Sequence, residues 1–417
     1  MKKAQQILAL LLTAVLLGNL AGCSSRSSVR NTQGNNQKTK VIRVGFVYPK
    51  RGTYKSFGEY SEEWTNYAVS QINEAGLTID GQPAIISLIT ADSNSEAAGA
   101  KRAAEDLIDD KGVDLMITSK TADTTVPVSK VCERKGVVCL SVDTPTDTWA
   151  VTRHRYSYHA GFSTEGELES FRNAWDQAST NKRVGVLHAN DPEGSTIIRY
   201  MPRFAEKNGY VAYDPGAYQN GQTDFSNIIR NLRTQKIEIL AGAMSTGDFR
   251  TFYLQLKKEG YLPKIRLMTV AKAALFSQDI AQLGVENLCT EVWWTPQFPY
   301  HSSINQMSCK ELGREFTRVT GQKQVPPTAG YDYANVELLY AVLKQAGSLN
   351  TDKLQKAAER LNLDTVIGKV SYDSDHCSVQ PLATGQWVYD RVNKTWEQKI
   401  ISSGTIKGLQ TDAELAS

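Results

Sequence analysis

From Val41 onward, short runs of aliphatic and β-branched residues alternate with stretches whose apolar positions recur every three or four residues. Such alternation predicts parallel strands joined by crossover helices. Val41 to Val47 reads as the first strand and Gly58 to Ala75 as the first helix, with Tyr60, Trp64, Ala68, Ile72 and Ala75 on one stripe and Gly76 as a stop. Next come strand Ala84 to Ile89, helix Glu96 to Asp109 with Ala100, Ala104, Leu107 and Ile108 inward, strand Leu115 to Thr118, a helix after Pro127 and strand Val137 to Ser141. A second series runs through helix Glu165 to Gln177, strand Arg183 to His188, helix Thr196 to Lys207 and strand Tyr210 to Ala217. It continues with helix Asp224 to Thr234, for which Thr223 is the expected N-cap, strand Ile237 to Ala241, helix Asp248 to Lys258 and strand Ile265 to Thr269. Helices at Ile304 to Thr320, Thr328 to Gln345 and Thr351 to Leu361 follow, with strand-like Val366 to Tyr372 and Gln386 to Tyr389. The fold class is α/β, in two lobes of similar layout and without a short internal repeat.

The first forty residues break this pattern. Lys2 and Lys3 precede an apolar run from Ile7 to Leu20, too short for a spanning helix of roughly 20 apolar residues but suited to the core of a secretory signal. Leu20-Ala21-Gly22-Cys23 then resembles the bacterial lipoprotein signal, in which the cysteine thiol receives diacylglycerol and becomes the first mature residue. Lipid chains contribute about 0.8 kcal/mol per buried CH₂, so several on Cys23 hold a folded body at a membrane surface. Ser24 to Lys40 is almost wholly polar, with Val29 its one aliphatic residue, and reads as a tether. The expected organisation is a signal peptide at 1–22, a lipidated tether at 23–40, a first lobe from 41–160 plus 293–378 and a second from 161–292 plus 379–410.

Charge and composition narrow the function. All 417 residues carry +3 in sum, but residues 1–40 hold six bases and no acid, which leaves the body with 41 basic against 44 acidic residues. A nucleic-acid partner, which needs excess Lys and Arg on the folded part, is not expected. Five cysteines besides Cys23 (Cys132, Cys139, Cys289, Cys309 and Cys377) show no CxxC spacing, so they are read as structural, with at least one left unpaired. Tyr372-Asp373-Ser374-Asp375-His376-Cys377 is dense in metal-capable side chains but reads as a strand and turn, and no metal or other cofactor is expected. Trp293-Trp294-Thr295-Pro296 with Phe298 and Tyr300 reads as core or cleft rim. There is no GxSxG elbow, Walker loop, HExxH or GxGxxG, and catalysis is not indicated.

Val44-Gly45-Phe46, Pro49, Gly52 and Phe57-Gly58, followed by a helix ending Ile72-Asn73-Glu74-Ala75-Gly76, resemble the opening of the type I periplasmic binding proteins of the leucine/isoleucine/valine-binding kind. Further matches keep the same order: Pro127, Gly136-Val137, Leu140-Ser141, Val184-Gly185-Val186-Leu187, Gly221-Gln222-Thr223-Asp224-Phe225, Leu256, Gly260-Tyr261, Met268, Tyr331-Asp332-Tyr333-Ala334 and Gly368-Lys369-Val370. The resemblance implies two Rossmann-like lobes with parallel-rich sheets joined by a three-segment hinge, and closure around a ligand in the cleft between them. Ligands of open α/β sheets bind beyond the carboxyl ends of strands, where the hydroxyl-rich loops Thr118 to Thr125 and Ser141 to Thr146 lie. In the amino-acid-binding relatives these loops hold the ligand's carboxylate and ammonium, so Ser119, Thr121, Asp143 and Thr144 are carried over, with Phe57 and Tyr331. The alternative for such hydroxyls is capping and turn formation.

The departures from that pattern bear on the ligand. Phe57 stands where many relatives have Tyr, Glu193 falls near an expected aromatic, and Met244 takes another Tyr position. The acid that commonly balances a ligand ammonium has no counterpart in Val270-Ala271-Lys272-Ala273, where Lys272 inverts the charge. The expected function is a monomeric, lipid-anchored solute-binding protein that presents a small polar ligand, an amino acid or related compound, to the permease of an ABC importer. A sensor of the same fold is the alternative, with a surface enzyme or envelope scaffold behind it.

Overall fold

The computed structural model describes residues 39–416 except 275 and 287; the leader, Cys23 and nearly all of the tether lie outside the described residues. Two seven-stranded sheets form the frame. In the first, Cys377–Val379, Ser157–Gly161, Cys139–Val142, Leu115–Thr118, Lys40–Tyr48 and Gln82–Asp92 run parallel in that spatial order, and Leu77–Ile79 closes the edge antiparallel. In the second, Leu288–Val292, Leu267–Ala271, Ile239–Ala243, Arg183–Leu187 and Val211–Tyr213 are parallel, while Ala383–Asp390 and Thr395–Ser402 add an antiparallel edge. The chain therefore crosses between sheets three times: after Gly161, after Val292 and between Val379 and Ala383.

The central strands are buried on both faces, as helices covering a parallel sheet require: every residue of Leu115–Thr118, Cys139–Val142, Ile239–Ala243 and Leu267–Ala271 is buried. Trp64, Ala68 and Ile72 pack inward as their spacing predicts, whereas Ala75 is exposed. The first predicted helix is in fact two, Lys55–Gly58 and Ser61–Ala75, broken by Tyr60 in the left-handed conformation at φ 66°. Gly58 permits that corner, since a Cβ there would sit 1.9 Å from the Pro49 carbonyl oxygen.

Other boundaries move for identifiable reasons. The helix expected from Asp224 begins at Ser226, because the Asp224 carboxylate accepts the Ser226 N–H at 2.9 Å in an Asx-turn, and Thr223 caps nothing. The helix expected from Ile304 begins at Cys309, where Ser308 and Glu311 form a reciprocal capping box. Val366 to Tyr372 is not one strand but part of a small hairpin, Leu363–Thr365 with Gly368–Val370. The helix after strand Leu115–Thr118 spans Ala122–Lys135 and contains Pro127. All five described cysteines are buried free thiols.

Candidate functional site

Loops leaving the C-terminal ends of both sheets meet at one small cavity of about 10 Å³. Three titratable residues stand one or two positions beyond strands there: Lys120, Asp143 and Lys272. Each has positive φ, at 99°, 82° and 62°. Left-handed backbone at a non-glycine residue costs of order 1–3 kcal/mol, and its recurrence at three strand ends around one cavity marks these loops as the candidate site.

On the first-sheet side the Lys120 side chain is fully buried, its Nζ 2.6 Å from Asp332 Oδ1 and 3.6 Å from Asp143 Oδ2. Asp332 is saturated: Ser119 Oγ donates to Oδ1 at 3.2 Å and Ser61 Oγ to Oδ2 at 2.9 Å. Asp143 is not, since neither of its carboxyl oxygens has a hydrogen-bond partner. Burial, against the opposing Lys120 and aided by repulsion from Asp332, pushes its carboxyl up to about 8.

The second-sheet side carries more acid than base. Glu193 lies in the first turn of helix Pro192–Lys207, whose N-cap Asp191 accepts the Gly194 N–H at 2.8 Å, and it pairs with Lys272. Burial alone would lower the Lys272 ammonium, but Glu193, Tyr54 and Asp191 outweigh it and hold the proton well above the usual lysine range. The Tyr54 ring, reached from the other lobe, lies 5.6 Å from Lys272 Nζ. Glu167, from helix Thr164–Trp175, and Glu291, from strand Leu288–Val292, also line the cavity. Glu291 Oε1 accepts the Trp293 indole N–H at 3.0 Å, but its Oε2 and both oxygens of Glu167 are buried without a partner. Burial, with repulsion from neighbouring glutamates, raises Glu291 to about 7 and Glu167 well above the carboxylate range. The apolar wall is aromatic, with Trp293 centred 6.0 Å from Phe57 and 5.6 Å from Phe162.

Of the residues expected from sequence, Phe57, Thr121, Asp143, Thr144, Glu193 and Lys272 line this cavity. Ser119 lies behind it on Asp332, and Tyr331 lies beneath it, edge-on to Trp293 at 6.5 Å. Met244 packs in the second lobe's core, its N–H bonded to the Ala271 carbonyl. Many loop hydroxyls bond one another, Thr125 to Thr144 and Thr124 to Ser93, each at 3.1 Å. Sequence reasoning missed Lys120, Phe162, Glu167, Glu291 and Asp332 as site residues, while Trp293, read as core or cleft rim, lines the cavity. One signal was present: Glu167 falls on the same helical stripe as buried Phe171, Ala174 and Trp175, where an acid is out of place.

Comparison with known proteins agrees with this architecture. Residues 41–393 match the family described as periplasmic binding protein. The chain belongs to that family. Among its relatives is the Leu/Ile/Val-binding protein homolog 3 of Brucella melitensis, 24% identical over 79% of this chain and 87% of that protein. Solved structures with the same fold include a leucine-binding protein from Thermotoga maritima, with a TM-score of 0.73, 15% identity and coverage of 86% of this chain and 97% of that one. A solute-binding protein of an ABC transporter from Rhodopseudomonas palustris, solved with 3,4-dihydroxybenzoic acid, has a TM-score of 0.69 at 15% identity over 89% of this chain and 99% of its own. As in other periplasmic binding proteins, the fold here is two parallel-rich α/β lobes, and its cavity lies where the strand ends of both converge.

Proposed function

We propose that this periplasmic binding protein captures a small polar solute, an amino acid or related amine-bearing compound, in the interlobe cavity and presents it to an ABC importer. The observation that carries the reading is the set of buried titratable side chains that line one cavity from both sheets, several of their oxygens without a hydrogen-bond partner. In this closed arrangement the cavity of about 10 Å³ has room for little more than a water, so a solute would enter by rotation of the lobes about the hinge. The relatives support a binding role, and the ligands named for them span branched-chain amino acids and an aromatic acid. A solute touching both lobes stabilises the closed arrangement by its differential affinity, and that arrangement is what the permease would recognise. Lipid on Cys23 would keep the protein beside its importer as a monomer on the outer side of the membrane.

Thermal unfolding of the purified protein against amino acids, amines, amides and small aromatic acids tests the binding role. A ligand at 100 times its Kd stabilises the fold by about 2.7 kcal/mol, a readily measured rise in midpoint. A bound compound should be recovered unchanged. No rise across the panel contradicts solute capture, and a Cys23→Ser variant that stays in the membrane fraction contradicts the anchor.

A further inference from the structure

Acidic side chains outnumber basic ones around the cavity. The two ammonium groups are both engaged, Lys120 with Asp332 at 2.6 Å and Lys272 with Glu193. Asp143, whose ion pair with Lys120 is the longer one at 3.6 Å, joins Glu167 and Glu291 in contributing five buried carboxyl oxygens with no hydrogen-bond partner at the edge of one cavity. A buried polar group left unmatched costs a few kcal/mol, more when it is ionised, and five such oxygens from three acids gather at this one cavity. The remaining wall is the cluster of Phe57, Phe162 and Trp293, whose ring faces attract cations. Carboxylates with aromatic faces make a recognition surface for an organic cation.

We propose that the ligand is a small organic ammonium ion without a carboxylate, its N–H groups bonded by Glu167 and Glu291 from one lobe and Asp143 from the other, its carbon atoms against Phe57, Phe162 and Trp293. This rests on the reading of the cavity as a solute site. An α-amino acid or a benzoate must place its own carboxylate among these acids, with both lysines already occupied. Among the described residues no three His, Cys, Asp or Glu side chains converge closely enough to hold a metal ion, so the three acids suit N–H groups spread over a ligand and not a single central atom. The raised proton affinities of the three acids agree, because a site short of positive charge holds its protons.

The test is calorimetric titration and thermal unfolding of the full chain with methylamine, ethanolamine, putrescine and agmatine, with leucine and isoleucine, and with 3,4-dihydroxybenzoate. At least one amine should bind and raise the midpoint while the amino acids and the aromatic acid do not. Glu167→Gln and Glu291→Gln should each weaken amine binding at least tenfold while unfolding at or above the parent's midpoint. Leucine or dihydroxybenzoate binding as well as any amine, or amine binding unchanged in both variants, overturns the charge assignment but leaves the cavity as a solute site. Silence from all three classes overturns both. The ligand series on the unmodified protein decides the matter even if a variant fails to fold.

Discussion

A buried carboxyl beside a lysine that already has a better partner is destabilised when it ionises, and Asp143 is in that position. With its carboxyl raised to about 8 from an ordinary 3.8, the folded chain keeps a proton that the unfolded chain has released across that interval. The folded state then binds more protons than the unfolded, and stability falls as pH rises, by at most about 1.4 kcal/mol per pH unit for each such group. Glu291, held to about 7, adds to the slope up to that pH; His159, pushed down to about 4 by burial, opposes it only below its ordinary 6.5. Glu167, held well above the carboxylate range, acts in the same direction, so between pH 7 and 8 the unliganded protein should lose stability with rising pH, and Asp143→Asn should reduce that slope without abolishing it. A midpoint in the parent that is flat from pH 7 to 8 would contradict the assignment. Removing the base instead of the acid acts the other way: Lys120→Met leaves Asp332 buried without its cation, an expected loss of about 3–5 kcal/mol by urea unfolding.

At the level of elements, helix Pro327–Ala346 is seated against the second crossing through one glycine. A Cβ on Gly330 would lie 2.1 Å from Cγ of Trp294, a buried ring fixed by its N–H bond to the Val366 carbonyl at 2.9 Å. Gly330→Ala should cost about 1–3 kcal/mol or more through overpacking, whereas Gly247→Ala, exposed in helix Thr246–Lys258 with open space around it, should be neutral or stabilise by up to about 1 kcal/mol. Equal effects in denaturant titration would sink the packing argument. Elements with a clear apolar period, such as the helix bearing Trp64, Ala68 and Ile72, were legible from the sequence. Strand Ser157–Gly161 was not, because its Ser157 and His159 are buried polar residues that interrupt any apolar run. The site was legible where loops follow recognised strands, as with Thr121, Asp143 and Thr144. Lys120 stood in the same loop, but nothing local marks it, since its partner Asp332 is 212 residues away. Glu291 sits inside a short strand with no period to violate.

At the scale of the whole molecule, three crossings leave the lobes free to rotate about a hinge, and every contact that exists only when they meet contributes to the closing equilibrium. One such contact lies outside the cavity wall: Tyr200 Oη, on helix Pro192–Lys207, donates to Asp147 Oδ1 at 3.1 Å, and the other Asp147 oxygen accepts the Thr164 N–H at the first crossing at 2.7 Å. A ligand that binds the closed form has an apparent affinity set partly by how often that form is populated. Tyr200→Phe removes the lobe-to-lobe hydrogen bond, a net contribution of about 0.5–1.5 kcal/mol, without touching a residue that lines the cavity. The variant should bind the same ligand about 2- to 10-fold more weakly by calorimetric titration, and small-angle scattering should show its contraction at correspondingly higher ligand concentration. A parent-like Kd with parent-like contraction would mean that this contact adds nothing to closure, and that closure is driven from the cavity alone.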